Sequence, residues 1–165
     1  PEDIRIQDSC EVPSDFHPRF QKTTKTYEYR ILNRRFPDPT RRLNSFFYYY
    51  PLDVVKMQEA SLYLVGEHDF KSFCSNKRMK KSTVRRMDQI GIHTDGTKVV
   101  FTYTGNGFLY NMVRILTGTL LEVGLGKRRP EEMKAVLEAR NREAAGATAP
   151  PEGLFLMQVE YDGEA

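Results

Sequence analysis

A turn signal between two strand-like runs limits the fold of this chain more than any other feature of the sequence. Asp95-Gly96 separates residues 83–94 from residues 98–104. An Asp-Gly pair in this setting is a strong signal for a β-hairpin, because both residues tolerate the backbone angles of a tight two-residue turn. The sequence therefore predicts a hairpin around Asp95-Gly96, and with it an antiparallel sheet.

Further strands are predicted on both sides of the hairpin. In residues 24–33, Tyr27, Tyr29 and Ile31 alternate with polar residues, which is the pattern of a half-buried strand. The other predicted strands are residues 3–11, 46–50 and 154–161. The predicted loops are residues 33–44, which are rich in Pro and Arg, the basic residues 75–82, and the small residues 144–151.

Three helices are predicted between and after these strands. Asp53 is a candidate N-cap for a helix that is closed by Gly66. Residues 108–124 have the apolar content of a buried helix, and Pro130 suits the first turn of another helix that runs to about Arg142.

The order of these elements indicates an α+β fold. Strands and helices are mixed along the chain, and the hairpin makes neighbouring strands antiparallel. We expect an antiparallel β-sheet with helices packed on one face, in a single domain over residues 1–165. No run of about 18 apolar residues occurs, so the sequence predicts no membrane-spanning helix.

Positive charge is concentrated in two segments, although the net charge of the chain is only +3. Residues 17–42 hold eight Lys or Arg against two acids, and residues 71–86 hold seven against none. Such segregation points to an anionic partner, of which a phosphate backbone is the obvious one. Two solvated loops would give the same pattern.

Several familiar kinds of site are excluded by what the sequence lacks. No Gly-rich phosphate loop follows a strand, no Ser or Cys lies in a nucleophile elbow, and the three histidines have no metal-ligand spacing. The two cysteines suit a reducing cytosol. What remains is a basic and aromatic surface, which suits single-stranded or looped RNA.

Four segments resemble the motifs of one enzyme family. They are residues 15–20 (DFHPRF) followed by Tyr27 and Tyr29, residues 64–73 (LVGEHDFKSF), residues 106–114 (NGFLYNMVR) and residues 147–154 (ATAPPEGL). In this order and at these intervals they resemble the TruA family of tRNA pseudouridine synthases. The resemblance runs from about residue 1 to residue 161 and implies the fold of the C-terminal half of that family.

The resemblance implies an activity and a partner. Members of the family isomerise uridine to pseudouridine without a cofactor or a metal, and the target nucleotide must leave the base stack. The implied substrate is tRNA, at positions 38–40 of the anticodon stem–loop. The resemblance also implies a homodimer that acts in the cytoplasm.

The catalytic aspartate of the family has no match in this chain. It belongs to an Arg-Thr-Asp-x-Gly-Val-His motif, and the nearest string here is His93-Thr94-Asp95-Gly96. Turn geometry alone explains that string. We therefore expect this chain to be the C-terminal half of a longer enzyme, inactive by itself.

The resemblance assigns roles to residues near the base. It implies that Tyr27 stacks on the target uracil and that Arg114 pairs with the catalytic aspartate. Leu154 and Leu156 present an apolar surface to the base in this interpretation, although both suit a plain core equally well. Phe108 is a core residue that also borders the pocket.

Other candidates would contact the RNA backbone. Arg19 is a candidate phosphate contact, and His17 is assigned to a loop. The candidate backbone clamp consists of Lys77, Arg78, Lys80 and Lys81. Two alternatives remain open beside the enzyme: an RNA-binding module without catalytic activity, and an interaction domain with incidental basic loops.

Overall fold

The computed structural model describes residues 1–18 and 20–161. Within these residues the strands are β1 (Thr23–Asn33), β2 (Phe46–Tyr48), β3 (Gly66–Asp69), β4 (Val84–Thr94), β5 (Lys98–Gly105) and β6 (Leu154–Tyr161). The helices are α1 (Val54–Leu62), α2 (Met112–Gly124) and α3 (Glu132–Ala139), and short 3₁₀ turns lie in the connections. None of the helices in this part of the chain is both long and apolar enough to cross a membrane.

The sheet is built around β1 and β5. The strand order is β2-β1-β5-β4-β3, and β6 also pairs with β1, along its first half. All pairings are antiparallel except that of β1 with β2, which is parallel. The sheet is therefore mixed rather than purely antiparallel. A parallel pair needs a crossover of about a dozen residues, and residues 34–45 provide it.

One face of the sheet carries the core. Along β5 every second residue is buried, among them Val99, Phe101 and Tyr103. Tyr29 and Ile31 of β1 are fully buried in the same cluster, together with the apolar residues of α2. The helices thus cover one face, as expected for this α+β fold, and α2 lies against the centre of the sheet.

Two strand predictions are corrected by the structure. Residues 3–11 form no strand and are exposed, because no strand in the described part of the chain offers them backbone hydrogen bonds. The opposite error concerns β3. It was not predicted because its sequence, Gly-Glu-His-Asp, has no apolar alternation, and its pairing with β4 defines it.

Element ends also differ from the predictions. Asp53 does cap α1, through its hydrogen bond from the Lys56 amide, but the helix ends at Leu62. Gly66 does not close α1; it enters β3 with φ of 111°. The hairpin turn lies one residue later than expected, because Asp95 N donates to Lys98 O and already closes the ladder.

The two later helices are shorter than predicted. Helix α2 begins at Met112 because Asn111 has a left-handed backbone, with φ of 60°. Helix α3 ends at Ala139 because Arg140 is also left-handed, with φ of 48°. The residues freed in this way, 108–111 and 140–142, become connections that line the surfaces described below.

Candidate functional site

Tyr27 lies at the centre of the sheet, on the face that the helices cover. It is opposite Tyr103 on β5 and opposite Leu156 on β6. Directly paired residues of antiparallel strands project to the same face, so these three side chains are neighbours. An irregularity in the β1–β6 pairing at Thr26/Tyr27 sets this register; without it, Tyr27 would face a different residue of β6.

The ring of Tyr27 is held by an aromatic contact, and no described residue forms a hydrogen bond with its hydroxyl. Its centroid lies 4.9 Å from that of Phe108, and the ring planes are 76° apart, a favourable edge-to-face arrangement. Tyr27 is half-buried, and this burial raises the pKa of its hydroxyl above the ordinary value. The hydroxyl makes no hydrogen bond to any residue among 1–18 and 20–161, so it remains available to a ligand.

Leu156 and Leu154 differ in their surroundings. Leu156 is 53% exposed beside Tyr27, whereas Leu154 is half-buried and packs against the core. The exposed leucine of the two is therefore the one that a ligand beside Tyr27 would contact first.

Arg114 lies in the first turn of α2, and its guanidinium is fixed by hydrogen bonds. Its Nε donates to the carbonyl of Ala149 over 2.6 Å, and its Nη1 donates to Oδ1 of Asn111 over 3.2 Å. Arg114 is half-buried. No carboxylate lies within 4.0 Å of it in the described part of the chain. Its acceptors are uncharged, so its positive charge is not neutralised there.

The loop that receives Arg114 lies close along α2. The Ala149 amide donates to the Arg114 carbonyl over 3.1 Å, and the Gly146 amide donates to Oγ1 of Thr119 over 3.0 Å. A Cβ at Gly118 would overlap the Ala147 carbonyl oxygen. These close approaches explain why residues 144–151 are small.

Tyr29 anchors the same loop, a role that the sequence did not suggest. Its side chain is fully buried, and its hydroxyl donates to the Pro150 carbonyl over 2.6 Å. Burial raises its pKa, while the nearby charge of Arg114 opposes that rise. The spacing of Tyr29 could have indicated this position. Because Tyr29 follows Tyr27 by two residues in a strand, both side chains face the same side of the sheet.

The basic loop is attached beside the start of α2. Nδ2 of Asn111 donates to the Ser75 hydroxyl over 2.9 Å, and the Ser75 amide donates to the Tyr110 carbonyl. The four predicted clamp residues, Lys77, Arg78, Lys80 and Lys81, are all exposed, and none forms an ion pair with another described residue. Asn111 thus contacts both Arg114 and the basic loop.

Three further candidates lie elsewhere. Arg19 is outside the described residues. His17 is exposed, and its ring lies 4.3 Å from that of Phe20. Asp95 is exposed at the hairpin turn, where it pairs with Lys98. Lys98 is five residues along β5 from Tyr103, about 17 Å at the usual rise per residue, so Asp95 is remote from Tyr27.

Comparisons with known proteins identify the family that the sequence resembles. A family model described as tRNA pseudouridine synthase matches residues 60–162. The tRNA pseudouridine synthase A of Halalkalibacterium halodurans is 48% identical over 155 residues, which is 94% of this chain and 59% of that protein. The enzyme of the same name from Limosilactobacillus fermentum is 43% identical over 167 residues, which is 100% of this chain and 65% of that protein.

A third relative has a similar identity and coverage. The tRNA pseudouridine synthase A of Anoxybacillus flavithermus is 45% identical over 164 residues, which covers 98% of this chain. This chain therefore matches such relatives almost throughout its own length, but it spans only 59–65% of theirs.

Proposed function

The chain belongs to the tRNA pseudouridine synthase family, and from this premise we propose that it supplies part of the active site that isomerises uridine to pseudouridine in tRNA. In this function, some residues of the chain hold the base and others position the nucleophile. The nucleophile itself comes from outside the 165 residues, because no Arg-Thr-Asp motif occurs within them.

Tyr27, Phe108 and Leu156 form the surface for the target base. The ring of Tyr27 offers a flat contact to a base that has left the stack. The base must detach from its sugar, turn and rejoin through carbon 5. A ring and a leucine permit this rotation because they stack on the base without fixing its hydrogen bonds. We assign to the Tyr27 hydroxyl, which has no hydrogen-bond partner among the described residues, a part in removing the proton from carbon 5.

The setting of Arg114 is the main support for the proposed function. Two neutral acceptors fix its guanidinium beside the sheet, yet no carboxylate pairs with it in the described chain. A half-buried arginine held in this way favours a carboxylate partner, because a bidentate arginine–carboxylate pair is strong and geometrically specific. We assign that place to the catalytic aspartate of the family, which attacks the target nucleoside.

The basic loop would hold the RNA outside this pocket. Lys77, Arg78, Lys80 and Lys81 are exposed and unpaired in the part of the chain described, as phosphate contacts require. Contacts of this kind fix position rather than sequence. The family assignment further suggests the anticodon stem–loop as the target, a homodimer as the active assembly and the cytoplasm as the place of action.

A chimera tests the proposed function. This chain replaces the matching region of the Halalkalibacterium halodurans relative, which supplies the rest of that protein. We expect the chimera to form pseudouridine in an unmodified tRNA transcript, detected by mass spectrometry of the digested RNA. A folded chimera that binds tRNA but forms no pseudouridine would overturn the proposal, provided that the unaltered relative is active in the same assay.

A further inference from the structure

A cleft of about 780 Å³ opens between the basic loop and the connection that follows α3. One wall is the segment from Lys71 to Val84, and the other is residues 140–143. Six cationic side chains line the cleft: Lys71, Lys77, Lys80, Lys81, Arg140 and Arg142. The sequence did not indicate the second wall, because residues 140–142 were predicted to lie in a helix.

The charge of the cleft is strongly positive. Its acidic lining residues are Asp69 and Glu143. Asp69 is already paired, since Arg140 Nε lies 3.3 Å from its Oδ2 and the Thr83 hydroxyl donates to its Oδ1. The four lysines form no ion pair with any residue of 1–18 or 20–161. Their charges therefore remain available to an anionic ligand.

The second wall is held in place before any ligand arrives. The Asn141 amide donates to the Ser72 hydroxyl over 2.9 Å, and Arg140 joins the second wall to Asp69. Arg142 donates to the Ala145 carbonyl over 3.3 Å and to the Thr148 hydroxyl over 3.1 Å. A preformed site loses less conformational entropy on binding than a flexible one.

The second wall is continuous with the loop that fixes Arg114. Arg142 holds Thr148, and the carbonyl of the next residue, Ala149, accepts from Arg114. A strand that lies in the cleft would thus pass beside the candidate active site. This continuity selects a nucleic acid strand over an isolated anion, because the same molecule could occupy both places.

We infer that the cleft binds the phosphodiester backbone of the RNA substrate between two walls, the basic loop on one side and Arg140 and Arg142 on the other. This inference rests on the proposed function for the identity of the RNA. The inferred site has two walls, whereas the sequence indicated only one basic loop. Phosphates would lie between the lysines and the arginines, and Asn76, Asn141 and Ser82 would supply neutral polar contacts.

Equilibrium binding of a 17-nucleotide anticodon stem–loop RNA to the 165-residue chain tests the second wall. In Arg140→Asn the cation is removed, and asparagine tolerates the left-handed backbone found there. We expect the Kd to rise roughly tenfold, as for the loss of one charge-assisted contact, and the slope of log Kd against log salt to fall by about one. Lys127→Ala is the matched control: this exposed lysine lies outside the cleft, so its removal should leave the Kd nearly unchanged.

A second variant adds negative charge without removing a contact. Asn141 is exposed, and its Oδ1 accepts from the Glu143 amide, so Asn141→Asp keeps that acceptor and places an acid in the cleft. Weaker RNA binding by this variant supports the inference. If both cleft variants are folded and bind RNA as the unaltered chain does, or if the unaltered chain binds no stem–loop, the inference is overturned. Pseudouridine formation by the chimera is a separate readout, so the proposed function can stand when the cleft fails.

Discussion

At the residue scale, two tyrosines of one strand have different tasks. Tyr27 and Tyr29 face the same side of β1, but only Tyr29 is fully buried and hydrogen-bonded, to the Pro150 carbonyl. Tyr27 is half-buried, its ring contacts Phe108 edge-to-face, and its hydroxyl has no hydrogen-bond partner within residues 1–18 and 20–161. We therefore assign Tyr29 to structure and Tyr27 to the substrate.

Substitutions of the two tyrosines test this division. In the chimera, Tyr27→Ala should abolish detectable pseudouridine formation while the protein stays folded, since the base loses its stacking partner. Tyr29→Phe should lower the unfolding free energy by about 1 kcal/mol, the usual value of one hydrogen bond. Single-turnover rates and denaturant unfolding measure the two effects. Normal turnover in the Tyr27→Ala variant would refute the role of that residue.

Arg114 offers a second prediction at the same scale. Arg114→Met keeps much of the side-chain volume and removes the charge that would pair with the aspartate. We expect the single-turnover rate of the chimera to fall by at least roughly a hundredfold, while the Kd for tRNA changes little. Equal losses in rate and in affinity would show that Arg114 serves binding or structure instead.

At the element scale, the packing of α2 against residues 144–151 places Arg114. Gly118→Ala should disturb this packing, because the added Cβ would overlap the Ala147 carbonyl oxygen. We expect the unfolding free energy to fall by about 1–3 kcal/mol. The single-turnover rate of the chimera should also fall. Gly91→Ala is the matched control, since its Cβ would meet only Thr102 at an ordinary 3.8 Å. Equal stability of the two variants would contradict this account of the loop.

The buried tyrosines of β1 and β5 predict a dependence of stability on pH. Burial raises the pKa of Tyr29 and of Tyr103 in the folded state, while the unfolded chain ionises near its ordinary value of about 10. Above that pH the unfolded state binds fewer protons than the folded state, so the unfolding free energy falls as pH rises. Below it the contribution is fully present.

Tyr103→Phe isolates one part of this effect. Between pH 9 and about pH 11.5 its unfolding free energy should fall less steeply than that of the unaltered chain, by up to about 1.4 kcal/mol per pH unit above pH 10. At pH 8 the variant should be less stable by about 1 kcal/mol, because the hydrogen bond to Thr117 is lost. Parallel pH profiles would show that Tyr103 ionises equally in both states.

Elements defined by local signals were predictable from the sequence, and elements defined by distant partners were not. The hairpin of β4 and β5 and the cap at Asp53 depend on neighbouring residues, so the sequence showed them. Strand β3 forms because it pairs with β4. Residues 3–11 form no strand because no described strand pairs with them. The parallel pairing of β2 depends on the path of residues 34–45, which no short pattern records.

Features of the candidate site also divide into those that sequence motifs indicate and those that depend on distant contacts. The resemblance indicated Tyr27 and Arg114, and the roles assigned to these two residues stay predictions. The contact of Tyr29 with Pro150 joins residues 121 positions apart, and the wall formed by Arg140 and Arg142 depends on where α3 ends. Neither could be inferred from spacing along the chain.

At the scale of the whole molecule, we propose that the chain presents one side of an active site. Strand β1 contributes Tyr27, β6 contributes Leu156, and α2 contributes Arg114. In the proposed complex, the basic loop and residues 140–143 would extend this surface along the RNA backbone. What the 165 residues lack is the family's aspartate motif. We therefore propose that the binding and positioning residues are present and that the nucleophile is supplied from elsewhere.

Tritium release from tRNA that carries [5-³H]uridine in the anticodon stem–loop tests this claim most directly. Isomerisation must expel the label from carbon 5, so release reports the reaction itself. With the 165-residue chain alone, at concentrations where it binds the tRNA, we predict no release above background, and release by the chimera in the parallel sample. Release of label by the chain alone would contradict the account and would place a nucleophile within these residues.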